Sequence, residues 1–180
     1  MKNIIHIFGA SGSGTTTLGK QMCNELGYKL IDVDDYFWMP TDPCFTEKRP
    51  VEERIALIKN DIDKYDNVVI SGSLVDWGDV FIPYFTLAIR LETEAKIRVS
   101  RLRQREKARF GSRIDQGGDM YEQHINFIEW AKSYDNGEMD IRSKRKHDEW
   151  QKQLNCKLIE LNGADSLEHN ISKIISEIKL

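Results

Sequence analysis

The run Ile4–Lys20, I-I-H-I-F-G-A-S-G-S-G-T-T-T-L-G-K, is the feature that most constrains this chain. Five apolar-dominated residues predict a buried strand, the glycines predict a turn, and the residues from Thr15 onward predict a helix. A strand that turns through glycines into a helix demands a partner sheet. It also presents backbone N–H groups around an anion, because glycine tolerates φ > 0 and the helix start offers free donors and a positive dipole end. Gly9, Ala10, Ser11, Gly12, Ser13, Gly14, Thr15, Thr16 and Thr17 are therefore the candidate nucleotide-phosphate cradle. The competing reading is a Gly/Ser turn with no ligand.

One residue breaks the pattern G-x-x-x-x-G-K-[ST]. Thr15 stands where the lysine that bridges the β- and γ-phosphates is expected, while Thr16 keeps the position whose hydroxyl ligates Mg²⁺. Lys20 is too far along the helix to substitute. Phosphate binding is thus better supported than turnover, and a nucleotide-binding regulator without efficient turnover stands as the alternative to an enzyme. A dinucleotide fold is disfavoured, since no tyrosine has a lysine four residues on. A GTPase is disfavoured because Asn-Lys-x-Asp is absent.

Further strands are expected at 28–33, 67–71, 85–91 and 157–161. Helices are expected at 15–26, 50–64, 93–109, 119–134, 143–154 and 165–178, the last with Asp165 as N-cap and Glu168 three residues on. This alternation predicts an α/β fold with a parallel sheet covered on both faces. The 180 residues suit one domain spanning 1–180, with a lid-like helical insertion at about 101–135 whose glycines at 111, 117 and 118 permit motion. Residues 40–50 read as an exposed loop.

Carboxylates follow the second strand. In extended backbone Asp32 and Asp34 would point to one side, with Asp35 at the strand end, where parallel sheets place ligands. Asp32 is the candidate for supporting Mg²⁺. Asp34, then Asp35, is the candidate base toward an acceptor hydroxyl. A plain Asp-rich turn or N-cap is the competing reading. Ser71, Gly72, Ser73 and Trp77 after the third strand, with Asp34 and Phe37, are the candidate acceptor wall.

The net charge of −3 disfavours a general nucleic-acid binder, but residues 96–113 hold eight bases against one acid. Arg101, Arg105 and Arg109, with Arg113 beyond, are candidates to supply the charge that Thr15 lacks. A solvated basic helix is the competing reading. His6 is expected in the core, and no role is assigned to His124 or His147. The three cysteines lack metal or disulfide spacing and fit a reducing cytoplasm; no leader and no membrane span are expected. Oligomeric state is left open.

These parts carry a resemblance over nearly the whole length. With Gly9–Thr17 as phosphate loop, Asp32-Val33-Asp34 as acidic pair, Ile70–Ser73 as acceptor-side strand and Arg101–Arg113 as lid entry, the chain resembles the nucleoside and nucleoside-monophosphate kinases, a group that includes shikimate and gluconate kinases. More narrowly, G-A-S-G-S-G-T-T-T-L-G with D-x-D-D-Y-F-W-x-P-T-D-P resembles bacterial proteins labelled adenylate-kinase-like or AAA-family ATPases. It resembles some cytidylate-kinase-like proteins in having Thr at the loop Lys position. The resemblance implies a five-stranded parallel sheet with helices on both faces, ATP as phosphoryl donor, Mg²⁺ as cofactor and a small-molecule acceptor. The zinc-bearing lid and Asp-Gly-Phe-Pro-Arg segment of adenylate kinase itself are missing.

Overall fold

The computed structural model describes residues 2–178. Five strands, β1 (Ile4–Gly9), β2 (Lys29–Asp32), β3 (Val68–Ser71), β4 (Leu87–Glu92) and β5 (Lys157–Asn162), pair in the order β2-β3-β1-β4-β5, and every pairing is parallel. The helices are α1 (Thr15–Leu26), α2 (Val33–Phe37), α3 (Val51–Lys64), α4 (Ala95–Phe110), α5 (Tyr121–Lys132), α6 (Lys144–Trp150) and α7 (Leu167–Ile175).

The period-2 rule divides each strand between two cores. Ile5 and Ile7 of β1 face Leu18 and Met22 of α1 and Ile171 and Ile174 of α7. Ile4 and Phe8 face Ile58 and Ile62 of α3 and Trp150 of α6. Both faces of β1 are sealed, which accounts for its unbroken burial and its apolar residues on either side of His6. Burying one such isoleucine contributes about 2–3 kcal/mol. The five expected strands and six expected helices are present in the expected order, with one unexpected short helix, α2, inserted after β2.

Two local expectations are corrected. Asp34 is not in extended backbone beside Asp32. The chain turns helical at Val33, Asp32 is the N-cap, and its Oδ1 accepts the Asp34 N–H at 3.2 Å. A short acidic side chain there satisfies a free helix donor and ends the strand. The N-cap of α7 is Ser166, not Asp165: its Oγ accepts the His169 N–H at 3.2 Å. Within the expected lid segment, Gly111–Ile114 forms a 3₁₀ turn that packs Ile114 with Phe110 and Met120.

Parallel pairing brings the carboxyl ends of β1, β2, β3 and β4 to one edge. Residues 9–16, 32–37, 71–77 and 92–94 therefore meet there.

Candidate functional site

Gly12 (φ +81°) and Gly14 (φ +106°) are left-handed, and the Ser13 N–H donates to the Ala10 carbonyl at 3.0 Å. The loop thus curls tightly over the start of α1, where Gly14 provides no side-chain cap. The helix donors stay free for a ligand. A Cβ on Gly12 would sit 2.6 Å from the Arg98 carbonyl oxygen, besides forcing an L side chain into the left-handed region. Gly12→Ala is expected to cost at least about 2 kcal/mol. Urea unfolding measures this, and a loss near zero would show that the loop geometry is not as described.

Arg101 braces this loop from outside. Its Nη1 donates to the Ser13 carbonyl at 3.3 Å and its Nη2 to the Gly163 carbonyl at 3.0 Å, while the Thr93 hydroxyl donates to the same Ser13 oxygen at 3.1 Å. Arg105 lies over the Phe127 ring, and Arg109 over Phe45 and Phe110. Arg113 is paired with Asp42 and Asp119. Arg98, in the same basic run, is buried against Asp135.

A second cation that reaches the loop is Arg142, which the sequence pattern did not single out. Its Nη2 donates to the Ser11 Oγ at 3.1 Å, and its guanidinium lies 4.6 Å from the Trp130 ring centre. It has no ion-pair partner among the described residues. Burial pulls its pKa down, and the Asp34 carboxylate pulls it back. Arg142 sits in a polar stretch with Lys144, Arg145 and Lys146, so no periodicity marks it.

Asp32 has a raised pKa, first because it is largely withdrawn from water and next because the Asp34 charge is close. Hydrogen bonds from the Asp34 N–H and the Thr16 hydroxyl oppose the rise. Crowded negative charge beside a phosphate cradle suits a divalent cation. No group of three or more His, Cys, Asp or Glu side chains forms a ready metal cage among the described residues. That donor set fits Mg²⁺, which takes few protein ligands and completes its shell with water and phosphate.

On the acceptor side, Phe37 packs edge-on to Trp38 and Trp77 at 4.9 and 6.1 Å. Arg54 of α3, also missed, is only 5% exposed, with its guanidinium 3.8 Å from the Phe37 ring centre and 5.3 Å from that of Trp77. Its Nε donates to the Arg49 carbonyl at 2.6 Å, and it makes no ion pair among the described residues. A near-buried arginine held without a carboxylate is costly unless an anion arrives. It follows two glutamates on an acidic helix, which masked it in the sequence. Ser71 is fully buried with its hydroxyl unpartnered, Gly72 (φ +115°) bonds back to the Ile7 carbonyl, and Ser73 Oγ lies 3.0 Å from the His147 Nε2. Asp34 and Asp35 are exposed.

No family model matches the chain. The chain is 37% identical over 175 residues to the uncharacterised Bacillus subtilis protein YqaC, covering 97% of each. It is 32% identical over 113 residues to a cytidylate kinase of Archaeoglobus fulgidus, covering 57% of this chain and 61% of that one. Its fold matches the solved shikimate kinase of Bacteroides thetaiotaomicron with a TM-score of 0.58 at 18% identity, over 98% of both chains. The five-stranded parallel sheet with the glycine loop at its carboxyl edge is a fold shared with the solved shikimate kinase, and the chain belongs to one family with YqaC.

Proposed function

We propose that this protein is an ATP-dependent phosphotransferase acting on a small molecule with a hydroxyl or phosphate acceptor, a ring and an anionic group. The observation that carries the reading is Arg142 against Ser11: a cation without an ion-pair partner among the described residues stands at a phosphate loop whose usual lysine is Thr15.

In this mechanism the loop N–H groups hold the donor phosphates. Thr16 and Asp32 hold Mg²⁺, which when bound neutralises charge on the donor phosphates. Arg142 counters negative charge that builds in the transition state. Arg101 keeps the loop closed on the donor side. Arg105 and Arg109 belong to the insertion at about 101–135, which acts as a lid and excludes water. Phe37 and Trp77 enclose the acceptor ring, and Arg54 takes its anionic group. With a hydroxyl acceptor, an O–P bond forms to the γ-phosphorus, the β–γ bridge bond breaks, ADP leaves, and the hydroxyl proton passes to Asp34.

Asp34→Asn is expected to bind Mg-ATP within about threefold of the wild type and to lose about 10²–10⁴ in transfer rate. Calorimetry and ADP release with a metabolite panel measure the two effects. Full activity in Asp34→Asn removes Asp34 as base. A wild type that binds Mg-ATP but transfers to nothing in the panel favours the nucleotide-binding regulator, the reading that Thr15 supports.

A further inference from the structure

His147 is fully buried, and both of its ring nitrogens are engaged. Nε2 lies 3.0 Å from Ser73 Oγ, and Nδ1 lies 2.7 Å from the Tyr134 hydroxyl. Ser73 follows β3 on the acceptor side. Tyr134 lies in the 3₁₀ turn Ser133–Asp135, where α5 ends. One side chain therefore joins the acceptor strand to the base of the helical insertion through the first turn of α6.

That turn is what presents Arg142. Ser143 caps α6, its Oγ accepting the Lys146 N–H at 3.1 Å and donating to the Glu138 carbonyl at 2.8 Å. The His147 N–H returns to the Ser143 carbonyl at 3.1 Å. Arg142 is the residue just before the cap. Two further ties fix α6 to the acceptor loop: Lys146 Nζ to Asp76 Oδ2 at 2.7 Å, and the Trp150 indole N–H to Asp79 Oδ1 at 2.7 Å. Arg142 thus stands on a braced body rather than on a free loop.

We propose that His147 is a positioning residue of the transfer site, tying Ser73 to Tyr134 and so holding Arg142 in register with both the phosphate loop and the acceptor. This rests on the phosphotransferase reading. The imidazole is neutral in this role. Burial, then the charges of Arg142, Arg90 and His6, lowers its pKa to about 3. The Tyr134 hydroxyl, raised to about 12 mainly by burial, keeps its proton. One ring nitrogen donates and the other accepts, so the chain of bonds has no missing donor or acceptor.

The experiment is a double-mutant cycle on ADP release from Mg-ATP, run with the best acceptor from the metabolite panel. His147→Phe keeps a planar aromatic ring and breaks both bonds. It is expected to lower kcat about 10²-fold, the cost of a misplacement near 1 Å, with KM for ATP within about twofold. His147→Gln, which retains a donor and an acceptor, is expected to recover most of that loss. His147→Phe combined with Arg142→Met is expected to be little worse than Arg142→Met alone, because the histidine acts through the arginine. Should His147→Phe fold poorly, Tyr134→Phe removes one hydroxyl and is expected to lower kcat several-fold.

Independently of turnover, ring nitrogen shifts of His147 are followed by NMR from pH 5 to 8. They are expected to stay constant, and to move when Tyr134 is changed to Phe. Additive losses in the cycle, unchanged kcat in His147→Phe and Tyr134→Phe, or a ring that titrates near 6.5 would each overturn the proposal. A wild type inert toward every acceptor overturns the phosphotransferase reading instead, while the NMR titration still reports whether the bridge exists.

Discussion

Arg142→Met is expected to lower the phosphoryl-transfer rate by about 10³-fold while leaving Mg-ATP affinity within about tenfold. An arginine aimed at a transferring phosphoryl group contributes about 10³–10⁵ in kcat, and this loop has no lysine to share the burden. Binding survives because the backbone N–H cradle and the start of α1 are untouched. Arg101 is the natural competitor for the role. Its two terminal nitrogens are already spent on the Ser13 and Gly163 carbonyls, so Arg101→Met is expected to weaken nucleotide binding more than it slows transfer. Steady-state kinetics with calorimetry separates the two patterns. Equal kcat losses in both variants would mean that the missing charge is shared. A kcat loss confined to Arg101→Met would move it to the α4 helix. Adding Thr15→Lys to Arg142→Met provides a second check, since a lysine in the usual place is expected to recover part of the rate.

The contrast between Arg101 and Arg142 also shows what the sequence could disclose. Strand, loop and helix around Gly9–Thr17 were legible because each is local: an apolar run, turn glycines and a helical pattern are all written within twenty residues. The sheet followed from alternation and from handed crossovers. Asp32 and Asp34 do lie where β2 ends, but in another relation than expected, because period-2 reasoning continued past the point where Asp32 stops the strand by capping α2. Arg54, Arg142 and His147 were missed for another reason. Nothing near Arg54 in sequence says that Phe37 and Trp77 will close on it from two other segments. His147 finds Ser73 across 74 positions, and Arg142 finds Ser11 across 131. Periodicity does carry the burial of an apolar face. It does not carry the meeting of polar side chains across a sheet edge, which depends on topology. The basic run at 96–113 was visible as a run, yet its members diverge: Arg98 is consumed by Asp135, Arg113 by Asp42 and Asp119, and Arg101 by backbone.

Acid is expected to destabilise this fold well before its carboxylates titrate. His6 is fully buried, its ring stacked on Phe8 and Phe85 and edge-on to Trp150, with Nδ1 3.1 Å from the Ile70 carbonyl. Burial lowers its pKa to about 4, and that of His147 to about 3, from the ordinary imidazole value of 6.5. In the unfolded chain both return to the ordinary value, so between pH 6.5 and about 3 the unfolded state binds more protons. Stability must therefore fall as pH falls through that window. Each group contributes on the order of 3 kcal/mol when its window is fully crossed, a large part of a typical domain's stability. Asp32 works in the opposite direction: its pKa is raised, so the strain of its charge is relieved by acid. One partly accessible carboxylate offsets only a fraction of two buried imidazoles. Urea unfolding at pH 7.5, 6.5, 5.5 and 4.5 is expected to show a monotonic loss, steepening below pH 6. In His147→Gln that slope is expected to fall toward the value due to His6 alone, because glutamine has no proton to bind. A stability curve flat from pH 7.5 to 4.5 would mean that both imidazoles accept protons in place, which the described packing of His6 against three aromatic rings does not permit.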